Sequence, residues 1–115
     1  ILNYKYLLSL PISDKEECKN IIKIFSNNFF DEKNAKSLTD IFFLSDANEN
    51  KEEQICVELF TNEGINVIKD ESAIDKSKDL ILCLKSGEIS YKKIKQSIEL
   101  IEVSKINIKG WIYLG

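Results

Sequence analysis

The sequence predicts an α/β protein of three layers, with helices on both faces of a mainly parallel, five-stranded sheet. Three observations carry this. Strand-like and helix-like periodicities alternate along the chain in the order β-α-β-α-β-β-α-β. From Asp79 to Gly115 a strand, a turn, a helix and a second strand follow in one run, a βαβ unit that needs parallel pairing and a right-handed crossover. A length of 115 residues with 43% hydrophobic content suits one core and one domain, residues 1–115.

Tyr4 to Leu10 reads as the first strand, closed by Pro11. Ser13, with Glu16 three residues on, forms a capping box that starts a helix. Cys18, Ile21, Ile22, Phe25 and Phe29 then recur at helical spacing and give it one broad apolar face. Asp31 to Ser37 is polar and loop-like, and Thr39 to Leu44 is the second strand, stopped by Ser45-Asp46-Ala47-Asn48. A second helix runs from Glu52 to Phe60, with Gly64 placed to terminate it. Ile65 to Ile68 is a short third strand, and Lys69 to Lys78 a polar connector with room for one helical turn. The strand Leu80 to Leu84 is continuously apolar, and Ser90 is the natural N-cap of a helix beginning at Tyr91. On that helix Ile94, Ser97, Ile98 and Ile101 face the sheet, while Lys92, Lys93, Lys95, Glu99 and Glu102 are left for water. Ile108 to Leu114 closes the chain as the last strand, with apolar side chains on both faces.

Sixteen basic against nineteen acidic side chains leave a net charge of -3, so no overall basic field recruits nucleic acid. The apolar runs fall far short of the roughly 20 residues that span a bilayer. The absence of methionine and the bulky Ile1 make this sequence read as a piece of a larger protein, so any membrane attachment is expected upstream. Cys18, Cys56 and Cys83 sit singly at apolar positions, which predicts buried, reduced thiols in a cytoplasmic setting. With no histidine in the chain, Ser/His and Cys/His nucleophilic catalysis is excluded and no metal site is completed.

Ligands of such sheets bind at the carboxyl ends of the strands. Those ends carry Pro11 to Lys15, Ser45 to Asn48, Asp70 to Ser72 and Lys85 to Glu88. If Lys15, Asp46 and Asp70 converge, they can hold a divalent cation or a phosphate. The plainer reading is that the two aspartates cap turns after strands. Aromatic pairs at Phe29-Phe30 and at Trp111 and Tyr113 suit partner docking or core packing.

The closing third carries a more specific pattern: Asp79 at a strand start, Lys85-Ser86-Gly87, Ser90, a helix from Tyr91, and Gly110 at the entry to a strand. In this order the chain resembles the cytoplasmic P-loop ATPase domain of bacterial tyrosine kinases and polysaccharide co-polymerases. The resemblance implies a Rossmann-like, P-loop NTPase-like architecture with a nucleotide site whose vestiges are Lys15, Asp46 and Asp70. The departures lie upstream. The phosphate loop matches Ser9-Leu10-Pro11-Ile12-Ser13-Asp14-Lys15-Glu16, where Asp14 replaces the last glycine and Glu16 the magnesium-binding hydroxyl. There is no glycine before Gly64, although such loops need glycines at positive φ. The expectation is therefore a module with no cofactor and no nucleotide chemistry, acting by protein interaction or self-association in a polysaccharide-export or chain-length protein. The alternative is a receiver-like or flavodoxin-like signalling domain with Asp46 as phospho-acceptor. A small enzyme using Lys15 or Cys83 as nucleophile is a further alternative.

Overall fold

Five strands form one parallel sheet in the order β1-β5-β4-β2-β3, as described by a computed structural model covering residues 4–29, 39–44, 51–76, 78–85 and 90–115. The strands are β1 (Tyr6–Leu10), β2 (Thr39–Leu44), β3 (Val67–Ile68), β4 (Asp79–Lys85) and β5 (Asn107–Leu114). Helices α1 (Lys15–Phe29), α2 (Lys51–Asn62) and α3 (Tyr91–Val103) and a 3-10 helix (Glu71–Lys76) connect them. The predicted order and fold class are those observed.

Alternation along the strands divides the core into two layers. Leu10, Ile41, Phe43, Ile81, Cys83, Ile112 and Leu114 meet Cys18 and Ile22 of α1 and Cys56, Leu59 and Phe60 of α2 on one face. Phe42, Leu44, Leu80, Leu82 and Leu84 meet Ile74 of the 3-10 helix and Ile101 of α3 on the other. All of β4 from Leu80 to Leu84 is buried, as a strand covered on both faces must be. Moving from β1 to β2 to β3 the chain crosses the sheet one way with α1 and α2 on one face. From β3 to β4 to β5 it returns with the 3-10 helix and α3 on the other, the pattern of right-handed crossovers throughout.

Local chemistry sets the ends of the helices. The predicted Ser13 cap is one residue early: Asp14 Oδ1 accepts the Glu17 amide at 3.1 Å, so Asp14 is the N-cap and α1 begins at Lys15. Ser90 caps α3 as predicted, accepting Lys93 N at 3.2 Å. Gly64, at φ 81, ends α2 in a Schellman motif, with Ile65 N on Phe60 O and its own N on Thr61 O. The same motif ends α3, but there the left-handed position is filled by Lys105 at φ 60.

Two irregularities shape the β1 side of the sheet. Between Tyr6 and Leu8 the β1–β5 register shifts, and both Leu7 and Leu8 pack toward the α1 layer. A second shift, between Leu80 and Ile81 of β4, lets Ile108 and Trp111 of β5 share the α3 face. Beside it lies Gly110 at φ 156, where an added Cβ would stand 2.7 Å from both Leu7 Cγ and Lys5 O.

Candidate functional site

β2 and β4 are neighbours, yet the chain leaves β2 for α2 on one face and β4 for α3 on the other. Adjacent strands whose connections part in this way open a crevice at their carboxyl ends, the place where parallel sheets bind ligands. On the α2 side Lys85, the last residue of β4, pairs with Glu52 in the first turn of α2 at 3.4 Å. On the other side Glu71 Oε1 accepts from Lys93 Nζ at 3.0 Å and from the buried Ser97 hydroxyl at 2.8 Å. Those bonds, from Lys93 first and then Ser97, hold the Glu71 carboxyl below its usual pKa. Burial lowers the pKa of Lys69. Lys69, Glu71, Lys93 and Ser97 line a cavity of about 50 Å³ closed beneath by Phe42 to Leu44. Such a space holds a water molecule or so, not a nucleotide. Chemically the rim is a charge-compensated set of lysines and glutamates that fastens α2 to β4 and the 3-10 helix to α3.

The sequence-predicted residues are distributed differently. Lys15 is exposed at the start of α1, behind edge strand β1. Asp70 follows β3 at the opposite edge and is exposed, its Oδ1 accepting Ser72 N at 3.0 Å. That backbone bond lowers its pKa and makes it the cap of the 3-10 helix, the plainer of the two roles foreseen for it. Since β5, β4 and β2 separate β1 from β3, four strand spacings, about 19 Å, keep Lys15 and Asp70 apart. The structure does not bring them together. Asp46 lies outside the described residues, as do Phe30 and Ser86 to Gly87.

The three thiols are all buried and free. Cys83 is fully enclosed in β4, and burial pushes its pKa well above the ordinary thiol value. Burial, with the neighbouring Cys18 thiol, takes Cys56 up to about 12. Cys18, raised by burial, donates its S–H to Pro11 O at 3.1 Å. A protonated, enclosed sulfur is a poor nucleophile, so the Cys83 alternative loses its basis. Among the described residues no group of three or more metal-ligating side chains is placed to hold an ion. No helix among them is long and apolar enough to cross a membrane.

A larger surface feature lies on the β1 edge. A groove of about 440 Å³ runs between β1 and α1, lined by Leu7, Leu8, Ile21, Ile24, Phe25 and Phe29, with Lys5 and Asn28 at one end. Ile24 is 63% exposed on its rim. The rings of Phe25 and Phe29 stack at 5.0 Å to form part of its wall. Sequence reasoning missed both the groove and the Glu71–Lys93–Ser97 set. Ser97 was visible as a polar residue within an apolar stripe, but its partner 26 positions away was not. A scan against protein-family models, curated proteins and solved structures returns no match to the chain.

Proposed function

We propose that this chain is a non-catalytic interaction or regulatory module built on a nucleotide-binding type of fold. One observation carries the reading. The α1 N-terminus, where a phosphate would be cradled by backbone amides, already holds the Asp14 carboxylate on Glu17 N, with Glu16 and Glu17 in the same turn. A nucleotide phosphate would displace an intramolecular anion and meet two more. The neighbouring Lys15 is a single exposed cation at a sheet edge, away from the crevice between β2 and β4. Calorimetric titration with Mg·ATP tests this: no saturable heat is expected, and micromolar affinity would sink the proposal. The setting in polysaccharide export or chain-length control rests on the resemblance of the closing third alone. A reading frame lacking a chain-length-type domain upstream of Ile1 would remove that setting and leave the module reading intact.

The strand order favours a second reading. Counted from β2, the sheet runs 2-1-3-4, the flavodoxin-like order, with β1 of the N-terminus in the fifth place. In that frame the first strand is β2, and the sequence that follows it contains Asp46. A phosphoryl-accepting role for Asp46 predicts that acetyl phosphate labels the protein and that Asp46→Asn abolishes the label. Labelling that survives the substitution refutes it.

A further inference from the structure

The groove between β1 and α1 is polar at one end only. Helix α1 runs back along β1, so Lys5 and Asn28 mark one end of the groove and Leu8 and Ile21 the other. Between them Ile24 is exposed and Leu7 and Phe25 are half-buried, which leaves an apolar channel open to water. Past Ile21 the same helical face turns acidic at Glu17 and Asp14, four and seven residues earlier and both exposed. Charge therefore runs from positive to negative along the groove, with the apolar lining on the Lys5 side of Ile21. Among the described residues no carboxylate pairs with the Lys5 ammonium. Asn28 Nδ2 donates to Ile24 O at 2.7 Å, which leaves Lys5 as the charged donor of the lining. The carbonyl end of α1 lies at the same end and has no basic residue in its last turn. It bears only about half a negative charge, so a lysine beside it still attracts a full anion.

We propose that this groove binds a medium-chain aliphatic carboxylate, its head on Lys5 and its chain lying over Leu7 and Phe25 toward Ile21. The inference goes beyond the module reading by giving the module a small ligand, held along edge strand β1 and remote from the crevice between β2 and β4. Charge complementarity selects the head group: one cation at one end and an acidic turn beyond the other orient an amphiphile with a single anionic head and turn away one charged at both ends. Length selects the chain. Lys5 to Leu8 is three strand residues, about 10 Å, and Phe29 to Ile21 is eight helical residues, about 12 Å. An extended alkyl chain advances about 1.25 Å per bond, so about eight to ten carbons fill the groove. Its volume of about 440 Å³ is that of a small-ligand site, apolar with a polar group that fixes orientation. The occupant is held by side chains rather than by strand addition, because the bulge at Leu7 and the charge at Lys5 blunt this edge against backbone pairing.

Calorimetric titration of the full chain with hexanoate, octanoate, decanoate and dodecanoate tests the proposal. A methylene carried wholly out of water is worth about four-fold in affinity, and one half covered in an open groove about two-fold. Binding should tighten about four-fold for each two carbons up to decanoate, reach a Kd below about 1 mM there, and level off at dodecanoate, whose chain overruns Ile21. Reversing a charge changes an exposed contact by about twice its pair energy, so Lys5→Glu should weaken decanoate about five-fold and leave uncharged 1-octanol within about two-fold. Ile24→Glu, at an exposed rim position where the wild-type melting temperature is kept, should weaken both. The inference is overturned by the absence of heat at about 5 mM decanoate, by affinity that keeps rising through dodecanoate, or by binding indifferent to Lys5→Glu. Light scattering that finds a dimer, broken by Ile24→Glu, also overturns it, since a second copy then fills the groove. Each of these results leaves the Mg·ATP titration, and so the module reading, standing on its own.

Discussion

Replacing Gly110 by alanine is the sharpest test of how β1 is joined to the sheet. The backbone there has φ 156, a region that residues with a Cβ rarely enter. Holding alanine in such a conformation costs about 2 kcal/mol. The new methyl group would also stand 2.7 Å from Leu7 Cγ, 2.9 Å from Leu7 Cδ2 and 2.7 Å from Lys5 O. Leu7 can yield by changing rotamer, but Lys5 O accepts Trp111 N at 2.9 Å and cannot retreat without loosening that bond. Overpacking of this kind costs about 2 kcal/mol more. Alanine restricts the unfolded chain and returns up to about 1 kcal/mol, leaving a net loss near 3 kcal/mol. For a chain of this size that corresponds to a fall in Tm of about 12 °C. Thermal and urea unfolding followed by circular dichroism read it directly. A fall of less than about 3 °C, or full recovery in the Leu7→Ala background, refutes the reasoning, since the second would make the side chain the only obstacle.

Ser26, wholly buried in α1, has no hydrogen-bond partner for its hydroxyl among the described residues; Ser26→Ala is expected to raise stability by about 1 kcal/mol, and a lower urea midpoint would mean the hydroxyl is bonded. Glu71 has its pKa lowered by Lys93 and Ser97, so its stabilising contribution is present above the unfolded value of 4.5 and is lost as pH falls through the lower folded one. Wild-type stability should accordingly drop from pH 5 to pH 3 more steeply than that of Glu71→Gln, by a small margin because the pair is partly solvated; parallel curves would contradict the coupling. Iodoacetamide at pH 8 should leave Cys18, Cys56 and Cys83 unlabelled in the folded protein and label all of them in urea, as mass spectrometry would show; rapid native labelling would place a thiol at the surface.

What the sequence revealed was what is encoded locally. Gly64 and Ser90 end and begin helices by conformational and hydrogen-bonding preferences that act over a few residues, and both stand where they were expected. The apolar runs of β2 and β4 are buried on both faces because four or five consecutive apolar residues leave a strand no wet side. Asp14 displaced Ser13 as the cap because two adjacent residues had the right chemistry and only backbone geometry chose between them. Strand order was not legible, since it depends on which strands meet across separations that run from 26 positions (Ile41 and Val67) to 105 (Tyr6 and Trp111), and no spacing records that β5 inserts between β1 and β4. The candidate site inherited this blindness. Lys15 and Asp70 each follow a strand, as predicted, but whether two strand ends are neighbours is a property of the sheet and not of either segment.

The place of β1 beside β5 also has a consequence during synthesis. Among the described residues β1 pairs with β5 alone, and the bond from Trp111 to Tyr4 closes a separation of 107 positions. Until β5 exists, Leu7, Leu8 and Leu10 have no neighbouring strand to join, and the layer that covers α1 lacks Ile112 and Leu114. Closing so long a loop comes late in folding because its entropy must be met before any contact rewards it. Between the synthesis of β1 and that of β5 the nascent chain therefore carries an unpaired apolar strand, which is the interval in which a chaperone would have something to hold.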